Sequence, residues 1–413
     1  MSTLLIRNIG LLQTPAGDFR HCGRQQGENL KLKKAAVFIK DGKISEITDD
    51  GRIPEEAEKS RPAEVVDAGG RLVTPGLVDG HTHLVFGGYR QHEVALKLKG
   101  ASYLEILKAG GGILDTVART READFTGLYE KSEGFLDEML GMGVTSCEIK
   151  SGYGLDMETE IKMLKVTDAL KKNHPMDIAP TFMGAHAVPP EYSGRPDDYI
   201  DMLCEEMLPA VKEKGLASHA DIFCEEGIFN AKQSRKYLEK AKSLGFGLRI
   251  HADEIEETGG SQLAGELGAD SAEHLIAIGQ RGLEALASGG TTAMCLPATS
   301  FYLDKDFAPA RKMIEMGIPV ALASDFNPGS CPSLSLQFVM NLGYLKYRMT
   351  PEEILTAVTV NPACAAGMGG ATGTLEKGKK ADLVIWDAPD MEMLCYRFGS
   401  NMALQVIKEG VLV

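Results

Sequence analysis

The chain has 413 residues, of which 44% are hydrophobic and 25% charged, and its formal net charge is −14. This composition is typical of a globular protein and argues against disorder, while the acidic balance argues against nucleic-acid binding, which needs a basic face. No apolar run approaches the roughly 20 residues of a membrane-spanning helix, and the N-terminal MSTLLIRNIG lacks the features of a signal peptide. We therefore expect a cytoplasmic protein without a membrane or nucleic-acid partner.

The two ends of the chain are rich in short β-type runs. The clearest of these runs lie at residues 3–14, 33–48, 381–389 and 402–413. Asp41 and Gly42 stand between two apolar runs, which predicts a tight hairpin turn at this position. We predict that residues 1–74 and 370–413 pair into one small, discontinuous β-sandwich domain.

The chain between these ends alternates strand-like apolar runs with helix-like stretches, which is typical of βα units that build a parallel sheet. Helical patterns occupy residues 157–174, 230–245 and 259–268. Strands are predicted at residues 76–83, 143–152, 177–188, 219–225, 247–254, 269–275, 291–297 and 318–328. Eight such strands favour an α/β fold in which residues 75–369 form a (β/α)8 TIM barrel. An open doubly wound sheet would also fit this count.

Titratable side chains stand at the C-terminal ends of five predicted strands, where the active sites of such barrels form. They are His81 and His83, His186, His251, His274 and Asp325. Side chains two residues apart on a strand point to the same face, so His81 and His83 can share one metal ion. Together with His251 and Asp325 they offer three nitrogens and a carboxylate. Such a set leaves room for a water, as in a catalytic zinc site.

Several stretches of the sequence resemble the amidohydrolase superfamily of metal-dependent hydrolases. The stretches are PGLVDGHTH, HADE, AEHL, ASDFNPGS and GTLEKGKKADLVIWD, and longer matches include EIKSGYGL, GAHAVPPEY and DIFCEEGIF. The longer matches narrow the resemblance to members that open a cyclic amide carrying a carboxylate tail, which implies a small-molecule substrate. The resemblance extends from about residue 3 to the C-terminus.

The resemblance also implies the residues of a site. It implies a metal ion bound by His81, His83, His251 and Asp325. It implies substrate contacts from Arg90, Tyr153, His186, Glu254, Asn327, Gly329 and Ser330, with Tyr103 as a further candidate.

The number of metal ions can be predicted from the fourth strand. Dinuclear members of the superfamily use a carboxylated lysine at the end of this strand. The fourth predicted strand here ends in Cys224, Glu225 and Glu226, and Lys150 lies at the end of the second strand, where it is misplaced for that role. We therefore predict one metal ion per subunit. Zinc and iron both accept this ligand set, so the ligands do not choose between them.

The predicted reaction is hydrolysis of the carbonyl–nitrogen bond by a metal-activated water. Glu254, three residues after His251, is the predicted general acid and base, and Asp325 and His274 are the other catalytic candidates. We interpret His274 as a hydrogen-bonding partner of the water or the carbonyl rather than a metal ligand; a buried structural histidine is the alternative. Arg90 is the predicted clamp for the substrate carboxylate, because a guanidinium binds a carboxylate through two parallel hydrogen bonds.

Two other functions stay open at the level of sequence. A metal-dependent deaminase of the same superfamily would share the metal ligands, but a nucleobase-like ring offers no carboxylate to Arg90. A non-catalytic binding scaffold would be expected to lose metal ligands, and all four are present. The sequence also leaves open whether Tyr89 points into the pocket and whether the chain forms a homodimer. The eight scattered cysteines, without a CxxC pair, indicate reduced thiols rather than a disulfide or zinc scaffold.

Overall fold

The protein contains two β-sheets, and both are built from segments that the sequence predicts to be strands. The structure, a computed structural model, describes residues 2–99 and 111–413. Its strands are β1 (Thr3–Thr14), β2 (Leu30–Lys40), β3 (Lys43–Thr48), β4 (Glu64–Asp67), β5 (Leu72–Pro75), β6 (Leu77–Asp79), β7 (Val144–Lys150), β8 (Asp177–Ala185), β9 (His219–Cys224), β10 (Gly247–Ala252), β11 (Ser271–His274), β12 (Thr292–Cys295), β13 (Val320–Leu322), β14 (Leu383–Trp386), β15 (Ala403–Lys408) and β16 (Val411–Leu412).

Helices follow most of the barrel strands. They are α1 (Glu55–Ser60), α2 (His92–Leu98), α3 (Ile113–Glu122), α4 (Phe125–Gly141), α5 (Met157–Asn173), α6 (Pro196–Met202), α7 (Leu208–Lys214), α8 (Ala231–Ser243), α9 (Gly260–Leu267), α10 (Gln280–Gly289), α11 (Pro297–Tyr302), α12 (Ala310–Glu315), α13 (Leu336–Leu345), α14 (Pro351–Ala357), α15 (Val360–Ala365) and α16 (Met391–Tyr396). The three predicted helical patterns are confirmed as α5, α8 and α9. Within the described ranges, every helix is too short or too polar to cross a membrane.

The two ends of the chain pair in one mixed sheet, as predicted. Its strand order is β16-β15-β14-β5-β1-β2-β3, with β4 beside β1. The predicted hairpin is confirmed between β2 and β3: Asp41 and Gly42 both have positive φ, at 50° and 77°, as a type I′ turn requires. The β15–β16 turn packs closely against β2: a Cβ on Gly410 would lie 2.7 Å from the Ile39 side chain. The domain boundaries at residues 74 and 370 stay predictions.

The middle of the chain forms the predicted parallel barrel. Its strands are neighbours in the order β13-β12-β11-β10-β9-β8-β7-β6, and every pair is parallel. The segments that follow the first and last strands close it: the His83 N–H donates to the Phe326 carbonyl at 2.8 Å, and the Asp325 N–H donates to the His81 carbonyl at 3.1 Å. The barrel is therefore confirmed, and the open doubly wound sheet is excluded.

Side-chain caps fix where the outer helices begin. The Asp156 carboxylate accepts a hydrogen bond from the Thr159 N–H at the start of α5. Asn230 and Gln233 form a reciprocal capping box at the start of α8, which satisfies two N–H groups that a helix leaves unpaired. The apolar faces of these helices pack on the barrel strands, and the largest cluster of buried apolar residues lies between the two layers.

Candidate metal centre and substrate pocket

His81 and His83 stand at the C-terminal end of the first barrel strand with their rings side by side. Their Nε2 atoms lie 3.2 Å apart, and both side chains are buried. Thr82, between them, points the other way and donates its hydroxyl hydrogen to the Glu148 carbonyl at 2.7 Å. The alternation of side chains along a strand therefore gives the two imidazoles one shared face.

Two residues from distant parts of the chain join this pair. His251, at the end of β10, places its Nε2 3.3 Å from the Nε2 of His83. Asp325, after β13, places Oδ1 3.4 Å from the Nε2 of His81 and 3.7 Å from that of His83. Burial raises the pKa of Asp325, but its contacts with His81 outweigh burial and lower the pKa to about 2. Asp325 is therefore a carboxylate with an oxygen facing the imidazoles of His81 and His83.

The four donor atoms have the spacing of ligands around one metal ion. A tetrahedral ion with bonds of 2.0–2.1 Å to nitrogen separates its ligands by about 3.4 Å. This is close to the 3.2–3.7 Å between His83 and His81, between His83 and His251, and from Asp325 to His81 and His83. Burial lowers the pKa of His81, but the Glu273 carboxylate outweighs burial and raises it to about 9, so an ion bound here would displace a proton. The Nδ1 atoms of His81 and His251 face carboxylates, which leaves their Nε2 atoms as the donors for an ion.

Carboxylates contact the Nδ1 atoms of two of these histidines, on the side of the ring away from the converging Nε2 atoms. The Nδ1 of His81 contacts the Glu273 carboxylate. The Nδ1 of His251 lies 3.2 Å from Oδ1 and 3.1 Å from Oδ2 of Asp221. Such partners fix the tautomer and the ring orientation of metal-binding histidines. The residues present therefore fit a divalent metal in both their donor atoms and the support behind them.

A layer of charged side chains lies beneath the histidines, inside the barrel. All five are fully buried, at 0% exposure: Glu148, Lys150, Asp221, Arg249 and Glu273. The sequence drew attention to Lys150 only as a lysine misplaced for a dinuclear site, and it did not predict this layer. The sequence nevertheless contains a signal for this layer. Parallel strands buried on both faces are normally continuous apolar runs, so the two charged residues of VTSCEIK indicate a buried ion pair.

Glu254 and His274 face each other beside the imidazoles. The Nε2 of His274 lies 3.6 Å from Oε2 of Glu254, and its ring centroid lies 5.3 Å from that of His251 and 5.9 Å from that of His81. His274 is not part of the group of converging ligand atoms, which comprises His81, His83 and His251. Asp325 also lies outside this group of three, and it joins the site through its contacts with His81 and His83. The backbone at His274 has a φ of 70°, a strained conformation of the kind that clusters at functional sites.

The loop that carries Glu254 is anchored by Glu225, which the sequence did not mark as important. The buried Glu225 carboxylate accepts hydrogen bonds from the N–H groups of Glu254 at 3.0 Å and Ile255 at 2.9 Å. Thr299, at the start of α11, was also missed. Its hydroxyl donates to Oδ2 of Asp325 at 2.5 Å. Both contacts orient a residue of the candidate site through a buried polar group.

Arg90 lies in a pocket that leaves little freedom to its guanidinium. Its Nη1 donates to the Thr116 hydroxyl at 2.9 Å, and its backbone N–H donates to the Pro328 carbonyl at 2.9 Å. A Cβ on Gly329 would lie only 1.6 Å from its Nη2. The Tyr153 hydroxyl is a further neighbour; burial raises the pKa of Tyr153, and Arg90 opposes that rise. Arg90 is thus a buried cation held against the Gly329 backbone.

His186, at the end of β8, is a neutral ring with a defined proton position. Its Nδ1 lies 3.0 Å from the Gly152 carbonyl, and a carbonyl only accepts, so Nδ1 carries the proton and Nε2 keeps a lone pair. Burial, reinforced by His251, lowers the pKa of His186 to about 3. Its ring stacks on His83 with centroids 4.9 Å apart and lies 5.2 Å from Tyr153.

The remaining predicted residues differ in where they point. The Asn327 amide is engaged inside its own loop: Oδ1 accepts from the N–H groups of Gly329 at 2.9 Å and Ser330 at 2.7 Å. Tyr89 points away from the histidines, because its ring packs against Phe86 with centroids 4.9 Å apart. Tyr103 lies outside the described residues.

The sequence was compared with known families and proteins. It matches the amidohydrolase family over residues 72–413. The imidazolonepropionase of Alkaliphilus metalliredigens (strain QYMF) is 48% identical over 418 residues, covering 100% of this chain and 98% of that protein. The imidazolonepropionase of Bacillus cereus (strain B4264) is 49% identical over 412 residues, covering 99% of this chain and 96% of that protein.

The fold was compared with solved structures. E. coli guanine deaminase superposes with a TM-score of 0.74 at 14% identity, covering 100% of this chain and 99% of that chain. An adenosine deaminase from Xanthomonas campestris, solved with bound zinc, gives a TM-score of 0.69 at 18% identity, covering 100% of this chain and 92% of that chain. At these identities the likeness concerns the fold alone.

Proposed function

The chain belongs to the amidohydrolase family and, within it, to the imidazolonepropionases, and from this premise we propose how its site works. The substrate is 4-imidazolone-5-propanoate, a cyclic amide with a carboxylate tail. Water adds to the amide carbonyl carbon and the carbonyl–nitrogen bond breaks, which gives N-formimidoyl-L-glutamate in histidine degradation. The observation that carries the proposal is the convergence of the His81, His83 and His251 imidazoles, with the Asp325 carboxylate beside the first two.

The metal would be held by His81, His83, His251 and Asp325, one ion per subunit and either zinc or iron. When bound, such an ion supplies Lewis-acid chemistry: it lowers the pKa of a water from 15.7 to about 7 and stabilises negative charge on an oxygen. A single ion is supported by Lys150, whose ammonium lies 2.8 Å from Asp221 and 3.1 Å from Glu273. The positive charge of the Lys150 ammonium already lies beneath the histidines, which disfavours a second metal cation there.

Glu254 would move the protons of the reaction. Its carboxylate takes a proton from the attacking water and delivers it to the leaving ring nitrogen. This role is supported by its position beside His274 and by the Glu225 anchor, which holds the Glu254 backbone in place. His274 would hydrogen-bond the carbonyl oxygen as charge develops there, which lowers the barrier. Asp325 would help to orient the water.

The substrate would be oriented by groups on the opposite side of the histidines. Arg90 binds the propanoate through two parallel hydrogen bonds, and the Tyr153 hydroxyl beside it adds a further donor. The lone pair on Nε2 of His186 accepts a hydrogen bond from a ring N–H of the substrate. Gly329 and Ser330 would contribute backbone contacts, with Asn327 holding their loop.

The direct test is turnover of 4-imidazolone-5-propanoate by the purified protein before and after removal of metal with a chelator. We expect ring opening that is lost on chelation and restored by Zn²⁺ or Fe²⁺. Metal analysis of the purified protein should give one ion per chain. Guanine, assayed in parallel, is expected to give no ammonia. Ammonia release without ring opening would overturn the proposal in favour of a deaminase.

A further inference from the structure

Lys150 is a fully buried lysine beneath the candidate metal centre, and the proposed function gives it no chemical step. It ends β7, and its ammonium forms ion pairs with three carboxylates: Asp221 at 2.8 Å, Glu148 at 3.1 Å and Glu273 at 3.1 Å. An isolated buried ammonium is costly, so this cation persists only because it is paired. Its three partners come from three different barrel strands, which makes it a junction between them.

Two of these partners connect Lys150 to metal-binding histidines. Asp221 contacts the Nδ1 of His251 at 3.1 Å, and Glu273 contacts the Nδ1 of His81. Each chain of contacts runs from the ammonium through a carboxylate to the imidazole nitrogen that faces away from the other histidines. Lys150 itself touches no substrate or reacting atom, so any effect it has must pass through these carboxylates.

The two connections differ in how much they depend on Lys150. Glu273 has other support, because its Oε1 accepts from Arg249 at 3.1 Å and from the Ser271 hydroxyl at 2.9 Å. Among residues 2–99 and 111–413, Asp221 forms ion pairs with Lys150 and His251. The Nδ1 of His251 lies 3.1 Å from Asp221 and 3.5 Å from Glu273, so Asp221 is its nearer carboxylate. The orientation of Asp221, and through this nearer contact that of His251, therefore depends on Lys150 more strongly than the orientation of His81 does.

We propose that Lys150 is a positioning residue of the metal centre, which holds Asp221 so that His251 presents its Nε2 to the metal. The inference rests on the proposed metal-dependent function. The outer partners of metal-binding histidines typically change metal affinity 10- to 100-fold when they are mutated. Lys150 would act indirectly: it would hold the Asp221 carboxylate, which in turn orients the His251 ring.

The experiment measures the Zn²⁺ dissociation constant of the full chain by competition with a chromogenic chelator. The variants are Lys150→Met, Asp221→Asn and the double variant. We expect each single variant to bind Zn²⁺ about 10- to 100-fold more weakly. Because both changes break the same connection, we expect the double variant to lie within about threefold of the weaker single variant rather than at the product of the two losses.

Lys408→Met is the matched control. Lys408 is also a buried lysine between two carboxylates, with its Nζ 2.7 Å from Asp177 and 2.8 Å from Asp382. It lies in β15 of the small sheet, away from the histidines. We expect Lys408→Met to lower the thermal midpoint of the metal-free protein and to leave the Zn²⁺ dissociation constant unchanged. This control separates loss of a buried ion pair from loss of ligand positioning.

The proposal is overturned if folded Lys150→Met binds Zn²⁺ within twofold of the wild type, or if its loss and that of Asp221→Asn multiply. If Lys150→Met does not fold, Asp221→Asn decides alone, because unchanged Zn²⁺ binding would remove the connection to His251. The KM for imidazolone propanoate at saturating Zn²⁺ should stay near the wild-type value. A wild type that binds Zn²⁺ tightly without opening the ring would refute the proposed function and leave this inference standing.

Discussion

The histidines of the site differ in the group that their Nδ1 atom contacts. His81 and His251 direct Nδ1 at carboxylates, whereas His186 directs Nδ1 at the Gly152 carbonyl. In all three rings Nδ1 faces an acceptor, so the proposed roles depend on what Nε2 faces. The Nε2 atoms of His81 and His251 lie toward the proposed metal position, whereas His186 is proposed to offer its Nε2 lone pair to the substrate.

Glu254→Gln tests the proposed acid and base. The amide cannot accept the proton of the attacking water, so we expect kcat to fall by about 10²–10⁴-fold. The metal content should stay unchanged, because Glu254 is not among the proposed ligands. Steady-state kinetics and metal analysis check both points. Glu256→Gln, an exposed carboxylate on the same loop, is the control and should keep wild-type rates; a Glu254→Gln enzyme of near-normal rate would point to another base.

Arg90→Ala tests the proposed carboxylate clamp. Hydrogen bonds to charged groups contribute about 1.5–3 kcal/mol, so we expect KM for the substrate to rise by roughly 10- to 100-fold. Metal content should be unaffected. Arg235→Ala, on the outer face of α8, provides the control because this arginine is paired with Glu266 at the surface. An unchanged KM in Arg90→Ala would remove Arg90 from the binding site.

At the scale of elements, the loops after the barrel strands set the geometry of the site. The loop after β13 is held by the Asn327 amide, and the loop after β10 is held by the Glu225 carboxylate. Each loop is thus fixed by one buried polar side chain that accepts several backbone hydrogen bonds. The catalytic candidates sit on segments that are anchored rather than free.

Gly329→Ala tests how tightly the loop after β13 confines Arg90. The added Cβ would fall 1.6 Å from Nη2 of Arg90, so the guanidinium must move out of its position. We expect a raised KM for the substrate with unchanged metal content, measured by steady-state kinetics and metal analysis. Gly134→Ala in α4 is the control, since a Cβ there meets no atom within 4 Å. Equal KM values in both variants would show that the position of Arg90 is unimportant.

At the scale of the whole molecule, closure of the barrel creates the site. The first and last strands meet through hydrogen bonds between the backbones of His81, His83, Asp325 and Phe326, and this contact places Asp325 beside the two histidines. The barrel interior is filled by charged pairs rather than by apolar side chains alone. The same buried groups therefore contribute to the barrel core and to the proposed metal centre.

His219 gives the whole molecule a defined pH dependence. Burial, reinforced by the charges of Arg249 and Lys150, lowers the pKa of His219 from 6.5 to about 3; the Asp270 carboxylate, 3.7 Å away, also faces it. Between these values the unfolded chain binds a proton that the folded chain does not. The free energy of unfolding contributed by the neutral ring is therefore present above pH 6.5 and is lost as the pH falls toward 3.

His219→Gln should remove this dependence. Between pH 7 and pH 5, linkage predicts that His219 costs the wild type about 2 kcal/mol of unfolding free energy. Urea unfolding at both pH values should show a correspondingly smaller loss in the variant. The other histidines are common to both proteins, so the difference isolates His219. The same loss in both proteins would show that this ring does not titrate as expected.

Much of the fold and part of the candidate site could be predicted from local sequence. The eight barrel strands, the pairing of the chain ends and the Asp41-Gly42 hairpin follow from periodicity and turn chemistry, which act over a few residues. The four proposed metal ligands were found because they end apolar runs. The ion pairs of Lys150 and the contact of Glu273 with His81 could not be predicted, because the partners of a charge within a strand lie on neighbouring strands that are distant in sequence.

The sequence by itself determined the kind of protein: a parallel barrel with a small β domain, a set of nitrogen and carboxylate donors at the strand ends, and membership of a hydrolase family. Only the tertiary structure decided which nitrogen of His81 and His251 faces a carboxylate, that Tyr89 packs against Phe86, and that Lys150 pairs with carboxylates beneath the histidines. The physical reason is distance. Tautomers, ion pairs and ring orientations depend on atoms a few ångströms apart that come from strands far apart in the chain.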